Sequence, residues 1–193
     1  MNLDTLTDTQ LILEIGKDSM PALAELVKRH QTRALHVAYR SLGDWQLAED
    51  VVQDGFLRVH RSARRYKPDA QFSTWFYRIV VNLCMDELRK RQRRAAFVAD
   101  SESVDPIAQV SENPASKHEV QEMRQAVKTA IGRLDERGRM AVILHRFEGL
   151  SHRQIADITE SSISAVESLL VRSYRKLRQD LALFNQNVKK NAG

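Results

Sequence analysis

One cysteine among 193 residues excludes an internal disulfide and suits a reducing compartment. Cys84 lies between Leu83 and Met85 in a helical run, where a small buried side chain is its expected role. Only 7 Gly and 4 Pro, with few β-branched runs, leave little of the turn chemistry that an all-β fold needs. No stretch approaches the roughly 20 apolar residues of a membrane span. The opening "MNLDTLTDTQ" is too polar and acidic for a signal peptide, so a cytoplasmic location is expected. The six histidines show no ligand spacing to cysteines or carboxylates, so no metal and no cofactor are expected. Acids are dispersed along helical faces rather than clustered with a nucleophile, which speaks against an enzyme.

What remains is helical periodicity. With 42% hydrophobic residues the chain can bury real cores, and the pattern predicts an all-α fold of two small helical domains. Charge divides the chain in three. Residues 1–94 carry 16 Lys and Arg against 12 Asp and Glu; residues 95–121 carry 1 against 5; residues 122–193 carry 13 against 8. Two basic blocks joined by an acidic strip suit modules that bind an anionic polymer and a connector that avoids it. The strip lacks a helical stripe and holds Pro106 and Pro114, so 95–116 reads as a flexible acidic linker between domains at 1–94 and 117–193.

In the first block, Ser19 is placed to cap a helix with Pro21 in its first turn and Gly43 at its end, and Asp44 to cap the next. On that second helix Asp50, Gln53, Asp54, Leu57 and Arg61 share one face. A leucine among carboxylates and an amide makes a mixed patch suited to a protein partner. Gly55, mid-helix, costs up to about 1 kcal/mol relative to Ala, which close approach of that partner would explain. A long helix then runs from about Phe72 to Arg94. Phe72, Trp75, Phe76, Ile79, Val80 and Leu83 form its core stripe, favouring packing over a base-stacking platform. It ends in "RKRQRR", more cation than a helix dipole requires, and a phosphate backbone is the natural partner.

In the second block, "KHEVQEMRQAVKTAIGRL" and "DERGRMAVILHRFE" are amphipathic helices leading into "GLSHRQIADITESSISAVESLLVRSYRKLR". Ser151 caps one short helix, "TESS" breaks it, and Ser161 or Ser162 caps the next. The last helix is expected to bury Ile163, Val166, Leu170 and Leu177. This is the pattern of a helix-turn-helix, whose second helix enters the major groove of DNA.

Taken together, "AEDVVQDGFLRV", "FSTWFYRIVVNLCMDELRKRQRR", "LDERGRMAVILHRFEGLSHRQIADI" and "AVESLLVRSYRKLR" resemble the extracytoplasmic-function group of sigma-70 family sigma factors, in order and over about residues 8–182. The resemblance implies a non-enzymatic subunit that binds core RNA polymerase and reads promoter −10 and −35 elements, with no small-molecule substrate. By it, the first domain holds the β′ clamp helices through Asp50, Gln53, Asp54, Leu57 and Arg61. It reads and melts the −10 element with Tyr66, Lys67, Asp69, Gln71, Arg78, Asn82, Arg89 and Arg93, the loop "RRYKPDAQ" capturing a flipped base. The second domain docks on the β flap and reads the −35 duplex. There Ser164, Glu167, Ser168, Val171, Arg172 and Arg175 lie on the recognition helix, with Arg137, Arg139 and Arg153 placed for phosphates. The free chain would be a monomer, regulated by an anti-sigma factor that holds it near the inner membrane.

Two departures stand out. Glu160 occupies the helix-turn-helix bend, where a left-handed conformation would cost roughly 1–2 kcal/mol. Ala165, Glu167 and Leu169 stand where many relatives carry threonine and basic residues. Glu167 suits a cytosine amino group as well as it suits solvent. A helix-turn-helix regulator acting without polymerase is the alternative, and it leaves the Asp50 face and the "RKRQRR" helix unexplained.

Overall fold

The computed structural model describes residues 2–67, 71–98 and 116–191. Apart from short 3-10 turns at Leu3–Thr5 and Ala63–Arg65, eight α-helices account for the regular structure there: α1 (Asp8–Ile15), α2 (Met20–Leu42), α3 (Trp45–Ser62), α4 (Phe72–Val98), α5 (Ser116–Gly132), α6 (Glu136–Arg146), α7 (His152–Thr159) and α8 (Ile163–Asn191). The chain writes their boundaries in capping residues. Thr7 and Gln10 form a capping box ahead of α1, and Ser151 and Gln154 form another ahead of α7. Ser19 caps α2, and Gly43 ends it at φ 72°, a left-handed turn that glycine adopts without strain. Asp44 caps α3, and the Ser162 hydroxyl accepts from the Ala165 amide at the start of α8.

Helices α1–α4 enclose one core. Leu11, Ile12, Ile15, Leu26, Val37 and Val59 are inaccessible around Phe76, which packs on Phe56 and Phe72 at ring distances of 4.5 and 5.7 Å. The aromatics of α4 are therefore packing groups, although Trp75 and Ile79 are only half-buried at the rim. Arg29 straps the N-terminal segment onto α2. Its guanidinium donates to the Leu6 carbonyl (2.7 Å), the Asp4 carbonyl (3.0 Å) and the Asp8 carboxylate (3.1 Å), while Nε meets Glu25 (2.7 Å). That arginine holds the Glu25 carboxyl below its usual range.

Gly55 does not face a partner. It is buried toward α4, where an added Cβ would touch Phe76 and Val80 at 3.5 Å, an ordinary contact. Gly55→Ala therefore fills space and removes a helix-interior glycine. It should raise stability by about 0.5–1 kcal/mol, measured by the denaturant midpoint.

Helices α5–α8 build the second unit around Met140, Ile143, Leu144, Ile155, Ile158, Val166 and Leu170. Two expectations are corrected. Ile163 heads α8, where neighbouring helices no longer cover the stripe, and is 45% exposed. The long helix α4 continues past Arg94 to Val98, and α5 begins at Ser116, within the stretch read as linker; residues 99–115 lie outside the described residues. At Gly138 helix α6 runs close against α8. A Cβ there would sit 2.5 Å from the Ser173 hydroxyl oxygen and 3.0 Å from the Asp135 carboxylate, which caps α6 through the Gly138 amide. Overpacking of about 1–3 kcal/mol, partly offset by helix propensity, gives a net loss of about 1 kcal/mol for Gly138→Ala in thermal unfolding.

The two units are packed together, α7 on α4 and α6 on α2. Ser41 and Met140, both almost inaccessible, meet there with the hydroxyl 3.7 Å from the thioether.

Candidate nucleic-acid interface

On α3, the helical repeat turns Val51, Val52, Phe56 and Val59 inward and leaves Asp50, Gln53, Leu57 and Arg61 on the open side. Asp54 is half-buried and paired with Arg58 at 3.2 Å. Leu57, at 52% exposure, sits amid these polar groups. The face foreseen from sequence is thus open and mixed in character, suited to a protein surface.

The basic end of α4 divides into structural and available cations. Arg91 donates to the Leu42 carbonyl (2.8 Å) and meets Asp44 (3.3 Å), tying α4 to the α2–α3 turn. Arg93 is exposed, and Arg89 makes only a surface pair with Asp86 at 3.4 Å. Asn82 is exposed one turn from Arg78. Ahead of α4, Lys67 and Gln71 are exposed, and Tyr66 lies against Trp75 with ring centres 5.1 Å apart. Pro68 and Asp69 fall outside the described residues.

Helices α7 and α8 form the expected helix-turn-helix. Glu160 caps α7 at φ 51°, so the bend is left-handed and carries the strain that a side chain pays there. On α8, Ser164, Glu167, Ser168, Val171, Arg172 and Arg175 are all exposed, opposite buried Val166, Leu170 and Ser173. Val171, at 58% exposure, offers an apolar contact of the kind a thymine methyl accepts. Glu167 is held by His152, whose Nδ1 lies 3.4 Å from its carboxylate. His152 in turn lies 5.3 Å from the His145 ring, and His145 Nδ1 is 2.8 Å from the Tyr174 hydroxyl. Arg137 on α6 and Arg153 on α7 are exposed.

Arg139 is not a phosphate contact in this arrangement. Its guanidinium donates to the carbonyls of Ser41 (2.9 Å), Gly132 (2.5 Å) and Leu134 (3.3 Å), joining the two units from inside. Desolvation, with the nearby Arg91 charge, pushes its pKa down. Arg78, foreseen as a −10 contact, is likewise occupied: Nη2 donates to the Asp157 carbonyl (2.5 Å) and Nη1 meets Glu160 (3.2 Å).

Three residues with no sequence signal complete the junction. The Tyr77 hydroxyl donates to Glu148 at 3.0 Å, and Arg40 approaches the same carboxylate at 3.7 Å while covering the Phe147 ring. Burial first, then the Glu148 charge, pushes the Tyr77 phenol up. Between the units, Arg89 of α4, Arg137 of α6 and Arg172 of α8 line one cleft of about 470 Å3. No group of His, Cys, Asp and Glu suited to a metal occurs among the described residues, and no described helix is long and apolar enough to cross a membrane.

Comparison with known proteins gives matches over both halves. Residues 26–94 match the family model for sigma-70 region 2, and residues 124–177 that for sigma-70 region 4. The chain is 32% identical over 174 residues to the ECF RNA polymerase sigma factor SigE of Mycolicibacterium smegmatis, covering 90% of this chain and 67% of the relative. It is 31% identical over 177 residues to the ECF RNA polymerase sigma-E factor of Escherichia coli K12, covering 88% and 92%. Among solved structures, CnrH in complex with the cytosolic domain of CnrY superposes with TM-score 0.66 at 26% identity, covering 91% of this chain and 97% of that one. The sigma factor RpoE of Bartonella quintana, in complex with the anti-sigma factor NepR, shares the fold at TM-score 0.63 and 24% identity over 82% and 96%.

Proposed function

The chain belongs to the extracytoplasmic-function group of the sigma-70 family and directs promoter-specific initiation by RNA polymerase, a work that we propose its residues divide as follows. The open face of α3, Asp50 to Arg61, grips the β′ clamp helices. Tyr66, Lys67, Gln71, Asn82, Arg89 and Arg93, with Asp69 of the connecting loop and Arg78 once its bonds to Asp157 and Glu160 open, bind the −10 element as unpaired strand. A polar loop beside exposed cations and an amide is what a splayed base and its phosphate require. The exposed side of α8 reads the −35 duplex, Arg137 and Arg153 anchor the phosphates, and the second unit also docks on the β flap. The functional domains, read as residues 1–94 and 117–193 from the sequence, extend with α4 to Val98 and begin again with α5 at Ser116.

The observation that carries this reading is the coexistence of an exposed helix-turn-helix with a separate, exposed acid–leucine face on α3. A free-standing DNA-binding regulator has no use for the second. Sigma factors as a family are not enzymes, and neither is this chain. Its regulator is an anti-sigma factor, since CnrH and RpoE are both seen with protein partners and RpoE's is named as an anti-sigma factor.

In vitro transcription with core enzyme on a library of genomic fragments tests the reading. Start sites that appear only when the chain is added, and that share spaced −35 and −10 sequences, are the expected result. Absence of chain-dependent starts would refute it.

A further inference from the structure

Resting on the reading of Glu167 as a base contact, we propose that His152 is the positioning residue that sets how strongly α8 discriminates at one −35 base pair. A proton on His152 holds the Glu167 carboxylate in place, so discrimination is strong in mild acid and fades in mild base.

The geometry is a closed chain of four side chains from three helices. Glu167 and Tyr174 stand two turns apart on one side of α8. The Tyr174 hydroxyl lies 2.8 Å from His145 Nδ1 on α6, and the His145 ring lies 5.3 Å from that of His152 on α7. His152 Nδ1, 3.4 Å from the Glu167 carboxylate, closes the circuit. Tyr174 and His145 are half-buried, whereas the His152 and Glu167 side chains are 40% and 56% exposed. The inner pair seats the His152 ring, and the outer pair is open to DNA. Burial pushes the Tyr174 phenol up, against the opposing Arg146 charge, so it stays a neutral hydroxyl beside His145.

Charge decides where a proton acts. Two imidazolium rings 5.3 Å apart would repel, and it is His152 that has the Glu167 carboxylate beside it. The N-terminal end of α7 opposes a cation at His152, and Arg153 follows it on the same helix. Glu167 favours that cation, and so do the phosphates that flank a recognition helix in the groove. Helix α4 meets α7 at its far end, where Arg78 bonds Asp157 and Glu160. Histidine is the side chain that such opposed influences switch near neutrality.

A lone carboxylate in the groove is repelled by phosphates on both sides. Paired with a protonated His152, it keeps one oxygen for the imidazolium and one for the cytosine amino group. A neutral ring steadies it less firmly. The complex with the preferred pair therefore holds the proton more tightly than the free chain does. By linkage the preference is present at low pH and lost as pH rises.

The test uses holoenzyme reconstituted with the full chain and two duplexes differing at the −35 pair whose preference Glu167→Ala alters. Their affinity ratio is measured from about pH 6 to about pH 8. Effects of pH on polymerase or on phosphate contacts cancel in that ratio. It should fall about fivefold across the range, the difference between a charge-assisted hydrogen bond and a neutral one. His152→Gln keeps a donor without a titrating proton, and its ratio should be flat and intermediate. His145→Phe keeps a ring against His152 and should retain the slope; circular dichroism checks that each variant stays helical. A flat wild-type ratio overturns the proposal, as does a slope that survives His152→Gln. A slope abolished in helical His145→Phe places the proton on the other ring and overturns it too. If Glu167→Ala alters no −35 preference, the base-reading assignment itself fails. If Glu167→Ala does alter one while the wild type is flat with pH, the role of His152 alone is lost.

Discussion

Reversing both Asp50 and Asp54 to lysine should lower affinity for core RNA polymerase about a hundredfold, close to 2.7 kcal/mol, while the chain stays folded. Two charge reversals at a complementary patch replace attraction with repulsion, and like-charge juxtaposition across an interface costs several kcal/mol. Asp50 is exposed, and among the described residues none pairs with it. Asp54, half-buried, pairs with Arg58 on the same helix, an i,i+4 surface pair worth about 0.3–0.5 kcal/mol. Loss of stability should therefore stay below about 1 kcal/mol. Titration of dye-labelled chain with core enzyme measures the binding, and thermal unfolding checks the fold. Leu57→Ala should add to the loss, because an exposed leucine ringed by polar groups is placed as the apolar centre of such a contact. Unaltered affinity in the double reversal would remove this face from the polymerase interface.

The features legible in sequence are those decided within one helix or one turn. Ser19, Gly43, Asp44 and Ser151 mark helix ends through bonds to residues three or four away, and the chain displays them in order. The α3 face and the exposed side of α8 follow from a 3.6-residue period. What escaped depends on a second element. Gly55 looked like an opening toward a partner, yet it faces Phe76 and Val80 across α4. The sequence groups Arg139 with Arg137 and Arg153 as a phosphate contact. Its carbonyl partner at Ser41 lies 98 residues earlier, and no local pattern announces that bond. Arg78 has the same history: its charge is legible, its occupation by Asp157 and Glu160 is not. Ile163 obeys the helical period but lies where the neighbouring helices have ended.

Removing the Glu167 carboxylate should change which −35 sequence is preferred. Glu167 stands on the exposed side of α8 between Ser164 and Val171, and His152 Nδ1 steadies its carboxylate from the preceding helix. A carboxylate accepts from the cytosine amino group in the major groove and is repelled by the acceptors of guanine and thymine. Glu167→Ala should therefore cost about 1–3 kcal/mol at promoters with the preferred pair, about fivefold to about 150-fold, and little at others. Binding of reconstituted holoenzyme to duplexes varied one −35 position at a time measures the change. His152→Ala should shift the same position in the same direction by less, since it frees the carboxylate without removing it. Arg153→Ala is the contrast. An exposed cation on phosphate weakens every site alike and reduces the salt slope by about one. If Glu167→Ala leaves the order of −35 variants intact, the carboxylate faces solvent, and sequence is read by Ser164, Ser168, Val171 and Arg172 without it.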